Sequence, residues 1–553
     1  MKTTTALTAL TAAALAATAT LALPLAASDN PKSRIQNPKS DRPNILVFLA
    51  DDLSWTTTTF AAAAHPDFPT PNMRRLAAAG MTFDRAYVTS PTSAPSRASL
   101  LTGLYPVRSG GVVNHQYPSL AKKTWPDYFH DLGYEVVAIG KVAHYNQVLH
   151  YNFDHSAGYE FASRTCIDDA IEYLKNRQST ARHGNAGVPP ANATQSRPIQ
   201  NRVSSEATGL TSKIQNPKPL CLMVGTHWPH DPWPAQGDIP PKNVTLLPML
   251  IDTPETRDAW SRYAAAVALA DRDLGKTYDA ALKYLGPDTL VVFSADNGMA
   301  MPFHKWNVYN GGLREPLIIS WPGRVPPGTR TQALVSWIDI LPTLLEAAGA
   351  DLTNITAPAP GAAAPSDNRK SKIKNPKSLD GRSFLPVLLG KTDTHHDLVY
   401  AIHSSAADHE YPMRAVIGPR YKYIRNLAPD TEYHLYLEKQ TNPGGALGNY
   451  FPSWVAKAKT DPRAAEILAR HHRRPPEELY DIEADPHDLR NLAPDPAHAT
   501  ILADYRQKLD TWMAAQGDKG LPTDEHFKKL KQQETAKQRS AKKAGGNKNK
   551  KTK

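Results

Sequence analysis

The chain has 553 residues, 41% of them hydrophobic, with 64 Lys and Arg against 53 Asp and Glu, a formal net charge of +11. That length exceeds one ordinary core and predicts a large domain followed by a smaller one, while two cysteines, Cys166 and Cys221, allow at most one disulfide and exclude a Cys-rich metal site. The charge excess sits at one end: residues 526–553 hold 11 Lys and Arg against the single acid Glu534, and no aromatic residue interrupts the run from Lys528 onward. The body is therefore nearly neutral, and a nucleic-acid partner is not expected.

In chain order, residues 1–28 pair Lys2 with an Ala/Leu/Thr-rich stretch and a small-residue exit, Ala26-Ala27-Ser28. This predicts a signal peptide, engagement of the secretion machinery and a periplasmic or secreted protein. No later apolar run reaches the roughly 18 residues of a bilayer span, so no transmembrane anchor is expected. Residues 29–41 read as a linker. One phrase recurs at Ser33–Ser40, Ser212–Lys218 and Ser371–Ser378, built on Asn-Pro-Lys. Its uneven spacing and Pro/Ser/Asn-rich surroundings mark inserted surface loops rather than a repeat architecture.

Continuous apolar runs at 44–50, 135–139, 220–224 and 289–293, alternating with helical patterns at 72–79 and 259–285, predict parallel strands buried on both faces of an α/β sandwich. The catalytic domain is placed at 42–356, with 179–219 a flexible insertion and 357–378 a flexible linker. Shorter segments at 398–403, 413–416 and 421–424, then a polar helix near 498–516, predict an α+β subdomain at 379–519 with a short antiparallel sheet. Residues 520–553 read as a basic disordered tail, either merely solvated or an electrostatic tether to anionic glycans.

Chemistry collects behind the predicted strands. The runs lead into Asp51-Asp52, into Asp296-Asn297, into Gly140-Lys141-Val142-Ala143-His144 and into Gly225-Thr226-His227-Trp228-Pro229-His230. Ligands of open α/β sheets bind beyond the carboxyl ends of parallel strands, so these groups are expected to meet. Three carboxylates and an amide oxygen form a hard, oxygen-only set that suits Ca2+, with Mg2+ second, because Ca2+ accepts more oxygens in a looser geometry. Ser90-Pro91-Thr92-Ser93-Ala94-Pro95-Ser96-Arg97 then reads as a loop entering a helix, with Ser93 at the helix N-terminus and Arg97 one turn later.

Ser93-x-Pro95-Ser96-Arg97 followed by Leu101-Thr102-Gly103, together with the two acidic pairs in order, resembles the type I sulfatases from about Arg42 to Gly323. The resemblance implies an alkaline-phosphatase-like sandwich with a large, mostly parallel central sheet between helices. It also implies a hydrolase of sulfate esters or sulfamates on a sulfated glycan, whose Ser93 is oxidised to formylglycine by a radical-type maturating enzyme. By the same resemblance Asp51, Asp52, Asp296, Asn297 and the modified residue 93 hold the metal, and Arg97 stabilises the ionised nucleophile. Lys141 and Lys305 hold sulfate oxygens, His144 assists the nucleophile or takes up the second diol proton during sulfate release, and His227 protonates the leaving group, with His230 beside it as a buttress.

The C-terminal half is similar to the sulfamidase, or heparan N-sulfatase, branch through Tyr411-Pro412-Met413-Arg414, Glu478-Leu479-Tyr480-Asp481 and Asp485-Pro486-His487-Asp488, which favours a heparan-type amino sugar. Ser rather than Cys at 93, Lys at 305 and the Lys141-Val142-Ala143-His144 spacing depart from that branch, the last resembling iduronate-2-sulfatases. Cleft-wall candidates for specificity are His115, His403, His409 and Arg414. The competing readings are a phosphohydrolase of the same superfold, with unmodified Ser93 between metal ions, and a non-catalytic glycan-binding protein.

Overall fold

Apolar β-rich segments become strands wherever both faces find cover. The computed structural model describes residues 42–58, 65–119, 121–183, 218–353, 355, 379–406, 409–439 and 448–548. The signal segment, both linkers, most of the insertion and all three copies of the repeated phrase, apart from Lys218, lie outside the described residues.

Eight strands form the main sheet: β1 (Ile45–Asp51), β2 (Met81–Tyr87), β3 (Glu135–Gly140), β4 (His155–Ala157), β5 (Leu220–Pro229), β6 (Leu290–Ala295), β7 (Leu317–Ser320) and β8 (Thr329–Ser336). Their order is β4-β3-β5-β1-β6-β7-β2-β8. The four strands legible in the sequence are the adjacent parallel ones, β3-β5-β1-β6, and β1, β5 and β6 are buried along almost their whole length. The half that was not anticipated contains the antiparallel strand β7 and the amphipathic strands β2 and β8. β2 interrupts its apolar pattern with Asp84 and Arg85, so it carries no continuous apolar signal.

Helices Pro71–Ala78 and Pro254–Leu285 occupy the predicted helical patterns. The longer one starts at Thr253, whose side chain accepts from Thr256 N, with Pro at the first turn, where a missing N–H is harmless. The helix Cys166–His183 runs through the first residues of the expected flexible insertion. Cys166 and Cys221 are both buried and free, so the disulfide allowed by the sequence is not formed. Cys221 instead receives the Trp125 indole N–H at 3.3 Å. Among the described residues no helix is long and apolar enough to cross a membrane.

The second sheet is antiparallel, as expected: β12 (Glu477–Asp481), β11 (Tyr421–Asn426), β10 (His409–Ile417) and β9 (Val399–Ala406), covered by the helix Ala499–Gln516. Residues from Arg42 onward cluster as one unit rather than two. The reason lies in buried polar bolts between the sheets. Lys422 Nζ reaches Asp488 Oδ2 at 2.5 Å and Asn310 Oδ1 at 3.0 Å, and Asn310 N also donates to Asp488. Glu478 accepts from Tyr309 and from Tyr480. The motifs around Glu478 and Asp488 thus fasten the small sheet to the loop after β6.

Two expectations are corrected here. Within the stretch read as a disordered tail, residues 549–553 lie outside the described residues, and Leu521–Lys548 forms a helix. Its Lys, Gln, Glu and Ala content favours helix, and its first turns are anchored, with Gln116 Nε2 donating to Phe527 O and Lys531 Nζ to Asn114 O. Nor does Arg414 line a cleft. It is fully buried, donating to both oxygens of Asp518 at 2.5 and 3.1 Å and to Asp524 at 2.7 Å. Removing one partner of such a buried network strands the other charges, so Arg414→Ala should cost about 3–5 kcal/mol in chemical denaturation. A loss under about 1 kcal/mol would show that water replaces the guanidinium.

Candidate active site

Register brings the chemistry together. Ala50 pairs with Ala295 in the parallel β1/β6 ladder, so the next residues, Asp51 and Asp296, lie side by side at the carboxyl edge. On the other side Leu49 pairs with Gly225, and Gly225 with Gly140. These facing glycines are required by space. A Cβ on Gly140, whose φ is +79°, would lie 2.0 Å from Gly225 O, and one on Gly225 would lie 2.2 Å from Lys141 O. The close approach sets Lys141 beside β1.

Asp51, Asp52 and Asp296 are buried and offer ligand oxygens within 4.8 Å of one another. Asp52 turns into the left-handed region at φ 67°, which Asp tolerates better than most residues. Its N–H donates to Asp296 Oδ1 at 3.1 Å. Asn297 Nδ2 donates to Asp52 Oδ1 at 2.8 Å, which leaves the amide oxygen facing Ser93 Oγ at 3.1 Å. Ser93 Oγ is also 3.5 Å from Asp51 Oδ1.

Ser93 opens the helix Ser93–Thr102, every residue of which is buried. The loop carrying Lys305 is tied to the Ser93 approach by Trp306 N donating to Pro91 O at 2.8 Å.

Three cations oppose the three carboxylates. Arg97, one turn along the Ser93 helix, donates from Nε to Asp296 at 2.8 Å and from its terminal nitrogens to Asp51 and to the Lys141 and Val142 carbonyls. Lys141 Nζ holds both oxygens of Asp51 at 2.6 and 2.8 Å, and Lys305 Nζ both oxygens of Asp52 at 2.7 Å. Burial alone would raise the Asp51 pKa, but Lys141, His230, Arg97 and Lys305 outweigh it and hold the carboxyl well below its ordinary range.

The histidines approach through Tyr145. Its ring stacks on His227 with centroids 6.0 Å apart, tilts against His144 at 4.4 Å and lies under Lys141 Nζ at 4.8 Å. Burial, followed by Lys141 and His115, pushes His144 well below its usual pKa. Burial also takes His227 down to about 3 although Asp51 opposes it, so both rings are neutral near pH 7. His144 Nδ1 and His227 Nε2 are buried without a hydrogen-bond partner. Unpaired buried nitrogens are costly, and their placement here fits a ligand-receiving pocket. His230 does not buttress His227 through its ring. Its Nε2 lies 3.7 Å from Asp52 Oδ2.

All ten sequence-derived site residues therefore converge. Of the specificity candidates, His115 joins them, with Nδ1 2.6 Å from His144 Nε2. His403 is buried behind the loop that leads into Ser93, its Nδ1 3.3 Å from Thr92 Oγ1. The His409 side chain lies outside the described residues. Not foreseen were Tyr145, Phe161 and Glu315. Phe161 is 60% exposed yet touches Tyr145, His227 and His230 by its edge. A lone aromatic in a loop carries no sequence signal.

The family model described as Sulfatase matches residues 43–350. The chain belongs to the sulfatase family. It is 27% identical over 491 residues to an ulvan-active sulfatase of Formosa agariphila, covering 87% of this chain and 81% of the relative. It is 26% identical over 520 residues to the N-sulphoglucosamine sulphohydrolase of Homo sapiens, covering 85% and 89%. Among solved structures, that of BT4656 in complex with its substrate D-glucosamine-2-N,6-O-disulfate shares the fold with a TM-score of 0.55 at 17% identity, covering 86% of this chain and 99% of that one. The protein is thus a sulfatase with an alkaline-phosphatase-like α/β fold.

Glu315 gives this sulfatase a measurable liability. It is buried, neither carboxylate oxygen has a partner, and burial with Asp296 and Asp52 nearby raises its pKa well above the ordinary 4.5. A raised folded-state pKa means that ionisation costs stability as pH climbs through that range. Without added divalent cation, Glu315→Gln should gain about 1–3 kcal/mol at pH 8 and much less near pH 5 by thermal denaturation. An equal effect at both pH values would rule out the ionisation cost.

Proposed function

We propose that this sulfatase hydrolyses sulfate esters or sulfamates on a sulfated glycan, with a heparan-type amino sugar favoured, through a formylglycine made from Ser93. The observation that carries the reading is the Ser93 hydroxyl at 3.1 Å from Asn297 Oδ1 and 3.5 Å from Asp51 Oδ1, inside a buried oxygen cage ringed by Arg97, Lys141 and Lys305. Two of the relatives are named for glucosamine or N-sulphoglucosamine substrates, which supports the amino-sugar preference. The ulvan-active relatives keep a non-heparan polysaccharide in play. Arg414 itself, turned into a buried ion-pair network, takes no direct part in choosing the sugar.

The donor set fits a hard divalent cation, with Ca2+ favoured over Mg2+. Asp51, Asp52, Asp296 and Asn297 are oxygen donors and all are buried, with the His230 ring at the edge of the set, its Nε2 3.7 Å from Asp52 Oδ2. Once bound, such an ion supplies Lewis-acid polarisation of a sulfate oxygen, and the hydrated aldehyde at residue 93 supplies the attacking oxygen.

The chain's own residues do the rest. Three carboxylates balanced by three cations leave the pocket, with a divalent ion added, net positive and suited to an anionic sulfate. Lys141 and Lys305 share their N–H groups between the aspartates and the equatorial sulfate oxygens, where charge grows. Arg97 keeps positive charge one turn from residue 93. His144, its Nε2 against His115, accepts a proton from the nucleophile during turnover. His227 donates a proton to the departing oxygen or nitrogen, and it gains that proton as the anionic sulfate group enters beside it.

Partners follow from the chemistry: a radical-type maturating enzyme acting on Ser93, the secretion machinery, and a sulfated glycan met in the periplasm or outside the cell.

Coexpression with a radical-type maturase should yield a Ser93 peptide lighter by two hydrogens in mass spectrometry, with sulfate release from N-sulfated or O-sulfated glucosamine. Ser93→Ala should lose on the order of 10³-fold or more in rate. An unmodified Ser93 with phosphoester turnover would overturn the reading in favour of a phosphohydrolase.

The role of His227 has its own test. His227→Gln should lower kcat about 10²–10⁴-fold on sugar sulfates, whose leaving oxygen needs a proton, and far less on 4-nitrophenyl sulfate, whose does not. Equal losses on both would move His227 from proton donor to binding group.

A further inference from the structure

Away from the catalytic pocket, the structure gathers three histidines and two glutamates beside the 3-10 turn Tyr436–Lys439 and at the end of the helix Pro462–His472. From this cluster we infer a second metal site, in which His434, Glu438 and His472 bind a borderline transition ion of the Zn2+ class.

The three residues offer ligand atoms within 4.8 Å of one another. Glu438 Oε2 lies 2.7 Å from His434 Nδ1 and 3.3 Å from His472 Nε2. Ligand atoms about 2.0 Å from a tetrahedral Zn2+ stand roughly 3.3 Å apart. The Glu438–His472 separation already has that value, the Glu438–His434 separation needs to open by about 0.6 Å, and the two ring nitrogens lie within 4.8 Å of each other.

The surroundings are built as a metal site's outer shell is built. The far oxygen of Glu438, Oε1, is fixed by Leu435 N at 2.8 Å and by His471 Nε2 at 2.8 Å, so Oε2 is the oxygen presented to His434 and His472. The ring nitrogens of His434 and His472 that point away from Glu438 both face Glu432, His434 Nε2 at 3.5 Å and His472 Nδ1 at 3.9 Å. The single Glu432 carboxylate lies within ion-pair distance of both rings, where its charge favours metal-bound imidazoles. Glu438 and His472 are mostly buried while His434 is 39% exposed, so a fourth ligand position opens toward solvent.

Two imidazoles and one carboxylate select Zn2+, Co2+ or Ni2+ over Ca2+, the opposite of the oxygen-only cage at Asp51, Asp52 and Asp296. The two sites are therefore chemically separable. Tyr433, next to His434, donates to Trp306 O at 3.2 Å, so an ion at this site braces the wall beside Lys305.

The test is Zn2+ binding to the full-length protein, stripped with chelator and then saturated with Ca2+, followed by calorimetry and by Co2+ absorption. The wild type should bind one Zn2+ per chain and give Co2+ d–d bands of tetrahedral strength. His472→Gln and the more exposed His434→Gln should each lose at least about 100-fold in affinity and the bands, and Glu432→Gln about 10–100-fold. Circular dichroism matched to wild type keeps a folding defect from counting as a loss. Zn2+ binding that Ca2+ abolishes, or that survives unchanged in folded His472→Gln and His434→Gln, would overturn the site.

Discussion

The rest of the molecule is arranged around three carboxylates that the main sheet forces into one buried corner. Asp51, Asp52 and Asp296 lie within ligand distance of each other, where like charges repel strongly at low dielectric. No hydrophobic packing relieves that. Arg97 bridges two of the acids, and Lys141 and Lys305 each clamp one through both oxygens. These cations arrive from the helix that begins at Ser93, from the end of β3 and from the loop after β6, so the neutralisation of the corner is also what assembles the pocket. Charge clusters that carry such an electrostatic cost are concentrated at functional sites.

The smaller sheet is better understood as a buttress than as a separate module. Glu478, Asp488 and Lys422 pin it to Asn310 and Tyr309, and Ile402 N donates to Thr89 O close to the nucleophile loop. Arg414 in turn fastens the C-terminal helix by Asp518 and Asp524. That helix reaches Asn114, one residue from His115, which contacts His144. The helix Leu521–Lys548 is thus connected from Lys531 through Asn114 and His115 to His144.

Several residues around the pocket hold positive φ without being glycine: Asp52, His115, Tyr145, Phe303 and Trp306. Such conformations cost free energy unless surrounding contacts determine them. Their concentration on the loops that carry the site matches side chains aimed into one point by tertiary contacts rather than by local preference.

The sequence by itself determined the parts with strong local signals. Buried parallel strands announce themselves as unbroken apolar runs, and the polar residues directly after β1, β3, β5 and β6 were legible because a strand's end is a short-range event. The motif around Ser93 and Arg97 was legible through its resemblance to the sulfatase signature, since helical spacing alone would leave it an ordinary Ser-rich loop entering a helix. What depended on distant partners was not. β2, β7 and β8 alternate or are short, the fate of Arg414 rested on Asp518 and Asp524 more than 100 positions away, and the basic terminus looked disordered until its anchors were in place. His434, Glu438 and His472 are likewise ordinary polar residues in the sequence. Only the tertiary structure decided that they share one carboxylate, because contacts between residues far apart in the chain are set by packing, which no local pattern encodes.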